Sequence, residues 1–293
     1  MPNIHNTVRS IAGLFCVAAL ASVATPVRGS AQNAATAAAS SAIWKQLVTF
    51  KSGDLTLSGY LFRPAGAGPF KALIWNHGSE KNPGGGPQFD SVAAIFVPAG
   101  YVVFAPVRRG HGTSQGAYVV DDTDRERAAR GAGAANRLVV HLLESEQLDD
   151  QLAGLRYLKS LAYVDTTRLV VAGCSYGGIQ TLLGAERGVG YTAAVSISPA
   201  ALSWNGNALL QDRLVKAVRG INIPVFLLQP PEDASLEPSR VLGAEFHRLG
   251  KAYQGKIYPA DIPDAFRPHC FGGAKGMHIW KQDVLAFLAA RVR

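Results

Sequence analysis

The chain has 293 residues, of which 48% are hydrophobic and 17% charged, and a formal net charge of +8. This excludes a disordered tail and a disulfide-stapled miniprotein, because the chain can bury a large core and holds only three cysteines. No apolar run reaches the roughly 18 residues of a spanning helix, and Lys and Arg are scattered rather than clustered with aromatics. Neither a polytopic membrane protein nor a nucleic-acid partner is expected.

In chain order, the first segment reads as an address. Arg9 precedes an uninterrupted apolar run over 11–21, the pattern of a secretory signal peptide. Small residues allow cleavage after Ala24 or Ala31; the second is preferred, so residues 1–31 are the expected signal peptide and the Ala/Ser-rich 32–42 a linker. Cys16 follows Phe15 rather than a small residue, which argues against lipoprotein processing; an uncleaved N-terminal anchor is the alternative. The folded part is then periplasmic or secreted, with no stable membrane insertion after processing. Processing removes Arg9 and Arg28, which lowers the net charge, and leaves Cys174 and Cys270. These are expected as two reduced, partly buried thiols, with a disulfide as the alternative in an oxidising compartment.

Residues 44–50 and 55–62 are β-rich runs joined by Lys51-Ser52-Gly53-Asp54, which predicts an antiparallel hairpin. Further strands are predicted at 72–75, 101–107, 168–172, 192–197, 225–228 and 252–258. Helix-length segments lie at 89–98, 124–143, 146–161, 178–187, 208–219, 238–249 and 281–292. Continuous apolar strands suit parallel pairing with both faces covered. The expected fold is α/β: a mostly parallel central sheet with an N-terminal hairpin and helices on both faces, in one domain over 43–293.

Chemistry enters at Gly173-Cys174-Ser175-Tyr176-Gly177, a G-x-S-x-G pentad with a strand before it and a helix after it. This turn is so sharp that side chains at the flanking positions would collide, and it lifts the serine hydroxyl above the sheet edge. The nucleophile needs a histidine base, and the histidine a carboxylate, in the chain order Ser, acid, His. Asp233, just past the 225–228 strand, is the expected acid, with Glu232 as rival. His278, in a glycine-rich loop before the last helix, is the expected base, with His269 of the same loop as rival. The oxyanion donors are expected at the backbone N–H groups of Tyr176 and Ser79, the latter in the turn Asn76-His77-Gly78-Ser79. Trp75, Trp204, Phe271, Met277 and Trp280 are candidates for an apolar substrate pocket. The mixed-charge helix start at 121–130, within the long 110–148 segment, reads as a solvated face, or else as a partial lid or an anion-recognition edge. No metal-binding or nucleotide motif occurs, so no metal and no cofactor is expected.

Asn76-His77-Gly78, the run Arg108-Arg109-Gly110-His111-Gly112-Thr113-Ser114 and the elbow Gly173-Cys174-Ser175-Tyr176-Gly177-Gly178 resemble motifs of α/β-hydrolases. The branch they resemble is the dienelactone hydrolase-like and prolyl oligopeptidase-like one, over nearly all of 43–293. The resemblance implies triad roles for Ser175, Asp233 and His278. Two departures stand out. Dienelactone hydrolases carry a cysteine nucleophile where this chain has Ser175, and the branch usually has His-Gly where this chain has Gln229-Pro230. Oligopeptidases of the branch carry a propeller for which this chain has too few residues. The expected function is therefore an exported serine hydrolase that cleaves a small-molecule carboxylic ester through an acyl-enzyme. An exopeptidase or amidase of the same fold is one alternative, and a non-catalytic binding protein another.

Overall fold

A computed structural model describes residues 43–83 and 87–292; the predicted signal peptide and linker lie outside the described residues. Eight strands form one sheet in the order β1-β2-β4-β3-β5-β6-β7-β8. β1 (Trp44–Ser52) and β2 (Leu55–Arg63) make the antiparallel hairpin, and β2 pairs antiparallel with β4 (Tyr101–Pro106). β3 (Phe70–Asn76), β5 (Val164–Cys174), β6 (Tyr191–Ile197), β7 (Val225–Gln229) and β8 (Tyr253–Ile257) continue in parallel.

The period of two along each strand explains why the central strands are apolar without interruption. Ala72 and Ile74 of β3 and Leu169 and Val171 of β5 face one core; Leu73, Trp75, Val170 and Ala172 face another. The first core is closed by α4 (Glu146–Lys159), α5 (Tyr176–Glu186), α6 (Ala208–Gly220) and α7 (Glu237–Arg248). The second is closed by α1 (Pro87–Phe96) and α8 (Met277–Arg291), through Val92, Phe96, Val284 and Leu288. Among the described residues no helix is long and apolar enough to cross a membrane.

The predicted helix over 124–143 is in fact two, α2 (Val119–Arg130) and α3 (Ala132–Glu144), because Gly131 takes φ +81°. Its N–H closes α2 on the Arg127 carbonyl at 2.9 Å and its own carbonyl accepts from Ala135 at 3.2 Å, so one residue ends one helix and opens the next. A Cβ there would meet nothing within 4 Å, so the backbone angle alone favours glycine. The charged side chains of α2 are solvated and pair along the helix, Arg125 with Asp122 and Arg130 with Glu126.

Candidate active site

The site lies at the carboxyl ends of the parallel strands, where loops after β3, β5, β6 and β7 meet. β5 delivers Ser175 into a strained turn, φ 59° and ψ −122°, from which α5 departs. The turn is fixed by backbone bonds: Ser175 N–H donates to the Ile197 carbonyl at 3.0 Å, and Ile179 N–H to the Ser175 carbonyl at 3.1 Å. A Cβ at Gly177 would sit 1.9 Å from the Asn76 carbonyl oxygen and one at Gly173 2.6 Å from the same atom. Both pentad glycines are therefore demanded by close approach to β3.

Asp233 follows β7, its side chain fully buried. Gln229, the last residue of β7, donates from Nε2 to Asp233 Oδ2 at 3.0 Å and to the Ser235 carbonyl at 2.6 Å, while Ser239 Oγ donates to its Oε1 at 2.5 Å. The glutamine that departs from the family pattern is thus the residue that anchors the acid. Burial alone would raise the Asp233 carboxyl, but hydrogen bonds from His269, Ser198 and Gln229 outweigh it and hold the group below the usual carboxylate range. Glu232 instead faces Arg267 at 3.4 Å.

The histidine that meets Asp233 is His269, not His278. His269 Nδ1 lies 2.7 Å from Asp233 Oδ1, and its Nε2 is buried with no hydrogen-bond partner among the described residues. The His278 ring packs edge-on against Phe266 at 4.8 Å, with Nδ1 bonded to the Lys275 carbonyl at 2.8 Å. The reason is local backbone. Residues His269–Gly276 run as 3₁₀ turns interrupted by left-handed angles at Cys270 and Phe271, φ 55° and 57°, while His278 already belongs to the first turn of α8. α8 therefore starts four residues earlier than predicted and carries His278 away from the acid.

The expectation of two reduced thiols also fails. Cys174 and Cys270 form a disulfide, with a Cα–Cα distance of 6.2 Å. Each cysteine is the chain neighbour of a candidate triad residue, Cys174 before Ser175 and Cys270 after His269. That symmetry in the sequence could have pointed to His269.

Both expected oxyanion residues line the site. Tyr176 opens α5, where the first N–H groups have no intrahelical acceptor. Gly78 and Ser79 follow His77, and the peptide between them is oriented by Arg108, which is 1% exposed. Arg108 donates from one terminal nitrogen to the His77 carbonyl at 2.8 Å and from the other to the Gly78 carbonyl at 2.5 Å. In a trans peptide the N–H of Ser79 points opposite to that carbonyl, away from the buried arginine. The Arg108 guanidinium also lies 4.9 Å from the Tyr176 ring centre. Burial lowers its pKa to about 10, so it stays cationic at neutral pH.

Burial beside the same arginine keeps two histidines neutral. Arg108 N–H donates to His77 Nε2 at 3.1 Å, so the proton sits on Nδ1 and goes to the Gly78 carbonyl at 2.8 Å. Burial, then the Arg108 charge, push His77 well below the usual histidine range and His111, stacked edge-on at 4.8 Å, down to about 4. Neither faces Ser175. Arg109 turns the other way and grips the fully buried Asp150 through Nε at 2.9 Å and a terminal nitrogen at 2.7 Å.

Ser175 lines two cavities. One, of about 140 Å³, is mostly apolar and is walled by Val139, Leu143, Tyr176, Ile179, Ala200, Leu202 and Leu210. The other, of about 630 Å³, opens to solvent and is bordered by Ser79, Glu80, Tyr118, Val120, Leu202, His269 and the disulfide. The five aromatic and methionine candidates line neither. Trp204 and Phe271 are buried at 4% and 0%; Trp75 stacks on Trp280 at 6.3 Å, and with Met277 they enclose a separate cavity of about 20 Å³ behind the disulfide. Trp75 points into the core from β3, and Met277 and Trp280 from α8, because they sit on inward-facing positions of those elements. The walls of the smaller cavity come from α3, α5, α6 and the loop after β6, where Ser198 and Ala200 have φ 47° and 57°. Nothing in the sequence marked that loop. Among the described residues no group of three or more His, Cys, Asp or Glu is placed to hold a metal.

Residues 129–210 match the prolyl oligopeptidase family. No curated protein matches the chain significantly. Among solved structures, an esterase from Pyrococcus furiosus superimposes with a TM-score of 0.64 at 18% identity, over 86% of this chain and 94% of that one. A Klebsiella pneumoniae protein described as a dienelactone hydrolase gives 0.61 at 19% identity, over 85% and 99%. A Pyrococcus horikoshii acylaminoacyl peptidase gives 0.62 at 16%, over 85% of this chain but only 42% of that one. With this sheet order, this elbow and these neighbours, the chain has the α/β-hydrolase fold, and residues 129–210 are similar to the prolyl oligopeptidase family.

Proposed function

We propose that the protein is a serine hydrolase that cleaves carboxylic esters with small apolar acyl groups. The observation that carries this is the His269–Asp233 bond, which leaves a buried, unpartnered Nε2 beside the cavity that Ser175 also lines. Asp233 fixes the tautomer that puts the proton on Nδ1 and the lone pair on Nε2. Ser175 Oγ attacks the ester carbonyl while His269 Nε2 takes its proton, and the oxyanion meets the N–H groups of Tyr176 and Ser79. His269 returns the proton to the departing alcohol, and a water then hydrolyses the acyl-enzyme with His269 again as base.

The smaller cavity supports an uncharged acyl group, because its wall holds serines and apolar side chains and no carboxylate to receive a free α-ammonium. The alcohol leaves through the larger, open cavity. Export to an oxidising compartment belongs to the same reading, supported by the disulfide. The second reading, an amidase or exopeptidase, is favoured by the match of residues 129–210 to the prolyl oligopeptidase family. A panel of p-nitrophenyl esters beside aminoacyl p-nitroanilides separates the two. Ester turnover should exceed anilide turnover and vanish in Ser175→Ala; the reverse preference overturns the ester reading.

A further inference from the structure

We infer that the Cys174–Cys270 disulfide is the device that positions His269 against Ser175, so that hydrolysis depends on an oxidised bridge. The inference rests on the reading of His269 as the base. The bond joins the residue just before Ser175 to the residue just after His269 and brings their Cα atoms to 6.2 Å. It therefore links the nucleophile to the base by the shortest covalent path that side chains permit, whereas along the chain the two cysteines are 96 residues apart.

Ahead of His269 the loop is tied to the acid turn by the bond from Glu232 N–H to the Arg267 carbonyl at 3.1 Å and by the Arg267–Glu232 ion pair, but both lie two residues from the ring and on the side away from Cys270. The segment after β8 contains only 3₁₀ turns, with four consecutive non-helical residues from Cys270 to Gly273. Cys270 and Phe271 hold left-handed angles that each cost a residue with a Cβ on the order of 1 kcal/mol. The Cys270 N–H reaches Ser198 Oγ only at 3.4 Å. His269 itself has one polar tether, the 2.7 Å bond to Asp233, about which the ring and its loop can still tilt. Phe271 anchors the loop in the core, but two residues beyond the histidine.

The bridge is also reachable, since Cys174 and Cys270 both border the open 630 Å³ cavity. A small dithiol entering there would attack one sulfur as thiolate, break the bridge and release the other cysteine as thiolate. Its second thiol would then displace the first cysteine and close the reagent into a cyclic disulfide, so two electrons and two protons pass to the protein. The consequence is an enzyme that is slowed in a reducing cytosol and reaches its full rate where the bridge forms.

Active-site titration of the full chain with a fluorophosphonate, before and after dithiothreitol treatment, tests this. Two additional free thiols should appear, and Ser175 should still label to completion, at a rate about 10- to 100-fold lower, recovering on reoxidation with oxidised glutathione. The Cys174→Ala/Cys270→Ala variant should match the reduced protein. An unchanged labelling rate with both thiols counted free overturns the inference. A smaller labelled fraction at an unchanged rate also overturns it, since the bridge would then serve stability alone. His269→Ala in the oxidised protein keeps the two readings apart: full labelling rate there overturns His269 as base, whereas loss there with full rate in the reduced protein overturns only the tether.

Discussion

The nucleophile elbow and the base loop contribute to one site by opposite means. The elbow is determined by backbone: two main-chain bonds hold Ser175, and two glycines admit a strand within reach that no Cβ would tolerate. The loop over 258–276 is framed by main chain only ahead of the histidine, where Tyr258 N–H donates to the Gln229 carbonyl at 2.9 Å and Glu232 N–H to the Arg267 carbonyl at 3.1 Å. From His269 onward its position rests on a few side-chain bonds, one buried phenylalanine and one disulfide. A site can thus be rigid on one side by construction and on the other only by attachment, and its attached side is the more easily disturbed.

The sharpest way to break the comparison is to remove, in turn, His269 of the loop and His278 of α8. His269→Ala should lower kcat on a p-nitrophenyl ester by about 10³-fold or more, while His278→Ala should leave it within about threefold. Loss in His278→Ala with activity kept in His269→Ala would mean that the loop rearranges to bring the other ring to Asp233. This contrast also marks what was legible in the sequence. The strands and their mostly parallel pairing, the elbow and the acid turn follow from apolar runs, pentad glycines and a strand end, all of them short-range signals. The histidine that meets Asp233 is not legible in this way, because it depends on where α8 begins, and Met277 enters the helix four residues before the predicted start. The cavity walls are not legible either, because large aromatics mark burial rather than direction. Trp75 and Trp280 are buried against each other, and the cavity is lined by Leu143, Ile179 and Leu210, ordinary helix residues whose meeting is a tertiary fact.

The elbow side has its own buried attachment, Arg108, which holds the Gly78 carbonyl and faces Tyr176. Arg108→Met keeps the volume but frees the 78–79 peptide to rotate, so kcat should fall about 10²-fold with KM changed much less. Equal losses in kcat/KM and in cavity binding would show instead that the arginine supports the whole site.

Acid should act on the elbow side as well. Burial first, and Arg108 second, lower His77 and His111 below their unfolded value of 6.5, His111 to about 4. The unfolded chain therefore binds more protons than the folded one below pH 6.5. Stability is fully present above that pH and is lost as pH falls toward 4, on the order of 3 kcal/mol from His111 alone. Urea titrations at pH 7 and pH 4.5 should differ, and His111→Gln should flatten the difference. A pH-independent midpoint would show that the pair titrates normally.

The smallest effects should come from the wall that divides the two cavities. Leu143 is 1% exposed on the acyl side, whereas Leu202 is 67% exposed and borders both cavities. Leu143→Ala removes three buried carbons next to Ser175. It should shift the preferred p-nitrophenyl ester toward longer acyl chains at a cost of about 2–4 kcal/mol in stability. Leu202→Ala removes the same atoms from a solvent-facing position, so stability should change by less than about 0.5 kcal/mol. Its effect should instead be a loss of discrimination, within about tenfold, because the acyl and alcohol spaces would merge beside the nucleophile. If Leu143→Ala leaves the chain-length profile in place while Leu202→Ala moves it, the acyl group lies in the open cavity and the two cavities exchange roles.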